Sequence, residues 1–237
     1  MTHQDAPALS SQPTPAFLSA PNASMASLAP AQPAFSLCVY CGSRPGNQPE
    51  FARLAAKVGH WIASQGGQLV YGGGRNGLMG IMADATLAAG GRVIGVIPRA
   101  LVDKECAHIG CTELHIVDTM HERKRIMADH ADAFLALPGG IGTLEEFFEV
   151  WTWRQLGYHN KPVGLFNQNA YYDPLLAFLN GAVASGFMSD DLMALIRTGT
   201  ELEPLLEALV QQARLNKSTQ EKQPNDQMDR MDRMDQI

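Results

Sequence analysis

Charge is scarce in this sequence. Only 18% of its 237 residues are Asp, Glu, Lys or Arg, and the formal net charge is −6. No basic block occurs along the chain, which argues against nucleic acid as the main partner. Long apolar runs are also missing. Those present are strand-sized and broken by Gly or Pro, so no membrane-spanning helix is expected. The N-terminus has neither a cationic patch nor a continuous apolar stretch, so a secretory signal is not expected. Cysteine is limited to Cys38, Cys41, Cys106 and Cys111. Cys38-x-x-Cys41, joined by Cys106, His108 and Cys111 from one later loop, has the residue types of a zinc or redox site. Structural zinc sites usually show two tight pairs, however, and Cys38 lies in an apolar run that suits a buried strand. The simpler expectation is small core residues in a reducing cytoplasm, with no metal.

Apolar residues make up 46% of the chain, enough to bury a core. They are unevenly spread. Residues 1–34 are mostly Ala, Pro, Ser and Gln, with Asp5 the only carboxylate and no Lys or Arg. Such a segment cannot bury enough surface to offset its ordering entropy, and disorder is expected. From residue 216 the chain is polar and ends in a short Met-Asp-Arg repeat, expected to be a mobile tail. One folded domain is therefore expected over residues 35–215.

Within it, strand-like and helix-like segments alternate. Strands are expected at 35–40, 68–71, 92–97, 114–117, 133–137 and 162–166. Helices are expected at 51–63, 78–89, 119–130, 143–156, 174–185 and 203–215. Thr119 and Glu122 have the spacing of a capping box. Alternation with continuous apolar strands implies an α/β fold, a parallel sheet covered on both faces. Such sheets bind ligands beyond the carboxyl ends of their strands. Glycine-rich loops follow the first, second and fifth expected strands, all at that edge.

The sharpest of these runs from Pro138 through Gly139, Gly140, Ile141, Gly142 and Thr143 to Leu144, Glu145 and Glu146. It joins an apolar strand to a helix. Glycines let backbone N–H groups face a ligand, and the helix N-terminus adds free donors and a positive dipole end. Thr143 can donate its hydroxyl or cap the helix. A tight capped turn would need one glycine; three with a threonine suit a phosphate cradle. A second run, Gly72-Gly73-Gly74 to Leu78-Met79-Gly80, follows the second strand rather than the first. That position weakens a dinucleotide fingerprint and suits a mononucleotide better. Arg123, Lys124 and Arg125 cluster at the start of the helix after the fourth strand; an isolated cluster of this kind suits a solvated face, but this one falls on the ligand edge, where Arg offers bidentate phosphate contact and Lys a point charge. Glu145 and Glu146 either complement the helix dipole or serve a bound sugar phosphate as base or cation stabiliser.

Together these residues resemble the Lonely-Guy family, the cytokinin-activating phosphoribohydrolases often labelled lysine decarboxylases. The family signature P-G-G-x-G-T-x-x-E is met from Pro138 to Glu146. M-H-x-R-K is met at Met120, His121, Arg123 and Lys124, C-G-S at Cys41–Ser43, and G-G-G-x-x-G-L-M-G from Gly72 to Gly80. The resemblance covers residues 35–215. It implies a Rossmann-like doubly wound fold, a homodimer or larger assembly, and hydrolysis of the N-glycosidic bond of a purine nucleoside 5′-monophosphate without a cofactor. It implies Arg123 and Glu146 as the catalytic pair. It further implies nucleotide contacts at Ser43, Gly72, Gly73, Gly74, Met79, Glu105, Lys124, the run from Pro138 to Glu145, and Thr152.

Two other functions compete. A lysine decarboxylase needs pyridoxal phosphate on a lysine, and no recognisable cofactor motif surrounds Lys57, Lys104, Lys124 or Lys161. A non-catalytic nucleotide carrier is possible on this superfold, but the chain keeps both Arg123 and Glu146. Assembly is suggested by the helix after the cradle. Its Leu144, Phe147, Phe148, Val150, Trp151 and Trp153 spread wider than one apolar stripe, so either a following helix or a second copy is expected to cover the outer face.

Overall fold

Strand–helix alternation produces one parallel sheet in the computed structural model, which describes residues 32–104 and 106–220. The chain divides into two units, Met1–Gln32 and Pro33–Ile237. The first lies almost wholly outside the described residues, as do residues 221–237 of the expected tail.

The strands are β1 (Ser36–Tyr40), β2 (Gln68–Tyr71), β3 (Arg92–Pro98), β4 (Glu113–Val117), β5 (Ala133–Ala136), β6 (Val163–Phe166) and β7 (Ile196–Gly199). They lie in the order β4-β3-β2-β1-β5-β6-β7, every pair parallel. The chain builds outward from β1 to β4, crosses back, and builds outward again from β5 to β7. The reversal puts β1 beside β5, with Tyr40 opposite Ala136. The loops leaving these two strands diverge there and open a crevice.

The helices are α1 (Pro49–Ser64), α2 (Gly77–Ala88), α3 (Met120–His130), α4 (Ile141–Gln155), α5 (Asp173–Ala184), α6 (Asp190–Met193) and α7 (Leu202–Gln220). Period-2 alternation along the strands splits the core into two clusters, one on each face of the sheet. One gathers Leu37, Val39, Leu69 and Leu135 with residues of α1, α2 and α7. The other gathers Cys38, Tyr40, Val70 and Phe134 with α3, α4 and α5. Cys38 and Cys41 fall into different clusters, so they do not form one chelating pair.

Most boundaries fall within a residue or two of the sequence expectation. β7 does not appear there at all. It is an edge strand in which Arg197 and Thr198 are exposed, so only Ile196 carries an apolar signal. Helix α7 continues past residue 215. There Asn216 Nδ2 donates to the Asn160 carbonyl (2.6 Å) and Lys217 pairs with Asp132 (2.7 Å). One flank of α4 is covered within the chain, while Ile141, Glu145 and Thr152 stay exposed. Leu144, Phe148 and Trp153 are partly buried in the same cluster as Leu175, Leu176, Met188 and Leu192.

Candidate active site

A cavity of about 630 Å³ opens at the carboxyl edge where β1 and β5 meet. That volume is in the range of small-ligand sites. One wall is the loop after β1, from Cys41 to Asn47, with Phe51 behind it. The opposite wall is Pro138 to Thr143, followed by Glu145 and Glu146. Leu78 and Met79 come from α2, Met120 and Arg123 from α3, and Tyr171 from the segment after β6.

The cradle wall is built by glycine in two different ways. Gly139 is needed for close packing: a Cβ there would collide with Oγ1 of Thr143, and the adjoining Pro138 carbonyl accepts from Gly42 N at 3.2 Å. Gly140 and Gly142 have no neighbour within 4 Å of an added Cβ, so their faces are open. Helix α4 begins at Ile141, two residues before Thr143, because Gly142 falls in a first turn whose N–H groups need no helical partner. Its cap residue, Gly140, supplies no side-chain hydrogen bond. Thr143 is buried against Gly139 rather than capping. The first-turn donors of α4 are thus left without a side-chain cap at the cavity wall, where an anion is favoured.

Arg123 is 6% exposed, and its guanidinium is held from three sides. Nε donates to the Val96 carbonyl at 3.1 Å and Nη2 to the Gly72 carbonyl at 3.3 Å, while Nη1 stands 3.5 Å from Glu146 Oε1. Carbonyls of β3 and of the loop after β2 therefore fix a cation against a carboxylate whose side chain is 12% exposed. Charge-assisted contacts in such a dry setting are strong and geometrically specific. Helix α3 is set by its cap: Thr119 Oγ1 accepts from Glu122 N (3.1 Å). The Glu122 carboxylate accepts from Asp118 N (3.1 Å), one residue earlier than a standard capping box. The next residue, Lys124, bridges to Glu145 (2.6 Å) and Glu149 (2.8 Å) of α4. Burial works against its charge, but the bonds to the two carboxylates outweigh it and hold its pKa above the ordinary value. The pair Arg123–Glu146 and the bridge from Lys124 thus clamp α3 to α4.

Cys41 lines the cavity as a thiol: burial first, then the Glu146 charge, push its pKa far up, so it is no nucleophile at neutral pH. Tyr171 was not found from the sequence. Its hydroxyl donates to the Gly139 carbonyl at 2.7 Å, and its ring meets Phe51 edge-on at 5.7 Å. The two residues before it, Asn169 (φ 50°) and Ala170 (φ 60°), are both in the left-handed region. For alanine that conformation costs on the order of 1–2 kcal/mol, held here by the surrounding contacts. Arg44 was also missed, and its position directly after the Cys41–Ser43 motif was the available signal.

Several sequence candidates lie elsewhere. Gly72 sits beneath Arg123, Gly73 packs under Val96 and Ile97, and Gly74 pairs with Ala107 in an isolated bridge. None of the three lines the cavity, nor do Lys124, Leu144 and Thr152. Leu144 belongs to the core, and Thr152 is exposed far along α4. Glu105 lies outside the described residues.

Residues 79–209 match the family described as "possible lysine decarboxylase". The cytokinin riboside 5′-monophosphate phosphoribohydrolase of Rhodococcoides fascians is 47% identical over 175 residues, 73% of this chain and 88% of that protein. This chain belongs to the Lonely-Guy family. One cytokinin riboside 5′-monophosphate phosphoribohydrolase of Arabidopsis thaliana, LOG1, is 46% identical over 73% of this chain and 81% of its own length. Solved structures share the fold. The molybdenum cofactor carrier protein of Chlamydomonas reinhardtii superposes with a TM-score of 0.57 at 19% identity, over 78% of this chain and 99% of that one. The molybdenum cofactor binding protein of Rippkaea orientalis gives 0.54 at 21%, over 76% and 96%. Among the described residues no lysine lines the cavity, and the buried Lys161 donates to the Ala128 carbonyl at 2.7 Å.

Proposed function

We propose that this chain hydrolyses the N-glycosidic bond of a purine nucleoside 5′-monophosphate, AMP or an N6-modified AMP, releasing free base and ribose 5-phosphate. The observation that carries the proposal is the Arg123–Glu146 pair, 3.5 Å apart, beside a helix N-terminus without a side-chain cap in one cavity. The relatives' printed activity supports it. The 5′-phosphate binds at the first turn of α4 and the open faces of Gly140 and Gly142. Arg44 on the opposite wall offers a cation to it. Ribose then lies toward Glu146. As the ribose–base bond lengthens, positive charge develops on the sugar, and the Glu146 carboxylate stabilises it and orients water for attack at the anomeric carbon. Water supplies hydroxyl to the sugar and a proton to the departing base. Arg123 holds Glu146 and anchors sugar or phosphate oxygens.

We further infer a homodimer and a cytoplasmic location. The face of α4 that carries Ile141, Glu145, Thr152 and Leu156 is exposed, and Ile141 beside the cavity is 85% exposed. A second copy on that face brings Thr152 to a substrate it does not reach within one chain. Four free thiols suit a reducing compartment. Among the described residues no helix is long and apolar enough to cross a membrane.

The test is incubation with AMP, isopentenyl-AMP and the matching unphosphorylated nucleosides, followed by chromatography for free base. Base should be released from the monophosphates. Equal release from nucleosides at low concentration would overturn the phosphate site, and no release from any substrate would overturn the hydrolase.

A further inference from the structure

The amino edge of the sheet carries a second cluster of chemistry-bearing side chains, remote from the cavity. Glu113 and His115 are two residues apart on β4, so period-2 alternation points them to one face. They sit opposite Ile94 and Val96 of β3. Helix α3 runs back from the carboxyl edge and ends on His130, whose ring centroid lies 5.4 Å from that of His115. One ligand atom from each of Glu113, His115 and His130 lies within 4.8 Å of the other two.

The contacts inside this triad are those of converging acceptors rather than of a closed hydrogen-bond network. His115 Nε2 stands 2.8 Å from Glu113 Oε1. That approach lacks the angle of a hydrogen bond, and the buried nitrogen has no other partner among the described residues. Two imidazoles and one carboxylate are the ligand set of open, three-ligand zinc sites. Ligand atoms bound at about 2.0–2.2 Å to a tetrahedral ion stand about 3.3 Å apart, so side-chain closure of about 1–2 Å completes the shell. Glu113 is half-exposed, which leaves a way in for the ion and a fourth position for water. The mixed nitrogen–oxygen set favours zinc and its borderline neighbours over magnesium or calcium.

We propose that Glu113, His115 and His130 form a divalent-cation site of the zinc class that pins the last turn of α3 to the edge strand β4. Arg123 and Lys124 lie at the other end of the same helix, so the ion acts as a clamp on the element that carries them. It takes no part in the chemistry of the cavity.

The full-length protein, stripped with chelator, is titrated with Co²⁺ and read by visible absorption, and with Zn²⁺ and read by calorimetry and thermal melting. One equivalent should bind, with d–d bands between about 500 and 650 nm for cobalt and a melting temperature that rises with zinc. His115→Ala and His130→Gln should each weaken binding at least tenfold and abolish the melting shift. Glu113→Gln, the mildest change at a half-exposed position, should weaken it less. His121→Ala, on α3 but outside the triad, should bind like wild type. Absence of a one-equivalent phase at 100 µM zinc, or binding left unchanged by His115→Ala and Glu113→Gln together, overturns the site.

Discussion

Two glycine-rich loops look alike in the sequence and do different work in the fold. The loop after β2, Gly72 to Gly74, is filled: the Gly72 carbonyl accepts from Arg123, and a Cβ on Gly72 would strike the guanidinium. The loop after β5 is open: at Gly140 and Gly142 nothing stands within 4 Å of an added Cβ. In the first loop glycine makes room for the protein's own side chain. In the second it leaves room for something that is not protein. A glycine run alone does not distinguish these uses; the distance from each missing Cβ to its nearest neighbour does.

The comparison can be broken most decisively at the carboxylate the open loop leads into. Glu146→Gln keeps size and removes charge, and turnover should fall on the order of 10²–10⁴-fold while the fold and nucleotide binding persist. Turnover within a few-fold of wild type would move the chemistry to another group, with Glu145 the first to test. The filled loop should respond as packing does. Gly72→Ala should cost about 1–3 kcal/mol of stability and, by displacing Arg123, most of the activity. A normal melting temperature with normal turnover would show that Arg123 is not held there.

Acid marks the window in which these variants are comparable. His159 Nε2 donates to the Val150 carbonyl (2.9 Å) and its ring packs on Phe134, neither of which belongs to either loop. Burial, then Lys161, lowers its pKa to about 4. The folded protein therefore holds it neutral while the unfolded chain protonates it near pH 6.5. Its stabilising contribution is complete above that pH and is lost as pH falls toward 4, up to about 3 kcal/mol. Urea unfolding midpoints at pH 7.5, 5.5 and 4.5 should fall in that order, and His159→Gln should flatten the series. A wild-type series already flat would remove His159 as the cause. The smallest effect is expected at the open loop itself. Gly142→Ala should leave stability unchanged or raise it by up to about 1 kcal/mol, since alanine is the better helix residue. KM should rise about tenfold with kcat little changed, as one phosphate contact is weakened. A drop in melting temperature matching that of Gly72→Ala would erase the distinction between the loops.

Much of this was legible in the sequence because it is local. Six of the strands announce themselves by apolar runs, broken only at His115 in β4, the cradle by its glycines at a strand–helix junction, and the α3 cap by Thr119 and Glu122. What was not legible depends on distant partners. Strand β7 is stabilised by pairing with β6 more than by its own side chains. Tyr171 matters through a bond to Gly139, 32 residues earlier. The Gly72 loop reads as a ligand loop until Arg123, 51 residues on, is seen to occupy it. Long-range contacts of this kind leave no periodicity behind.

The seat of Arg123 also has a consequence for how the molecule comes to life after synthesis. Its acceptors lie 27 and 51 residues earlier in the chain, and Glu146 lies 23 residues later. Helix α3 can form locally and quickly, but the guanidinium finds its carbonyls only when β2 and β3 have paired, and its carboxylate only when α4 has docked. Distant pairings of this kind are the slow part of assembly. A refolding chain will recover helical signal before it recovers catalytic power, and the return of activity will mark the moment at which the two halves of the sheet have joined.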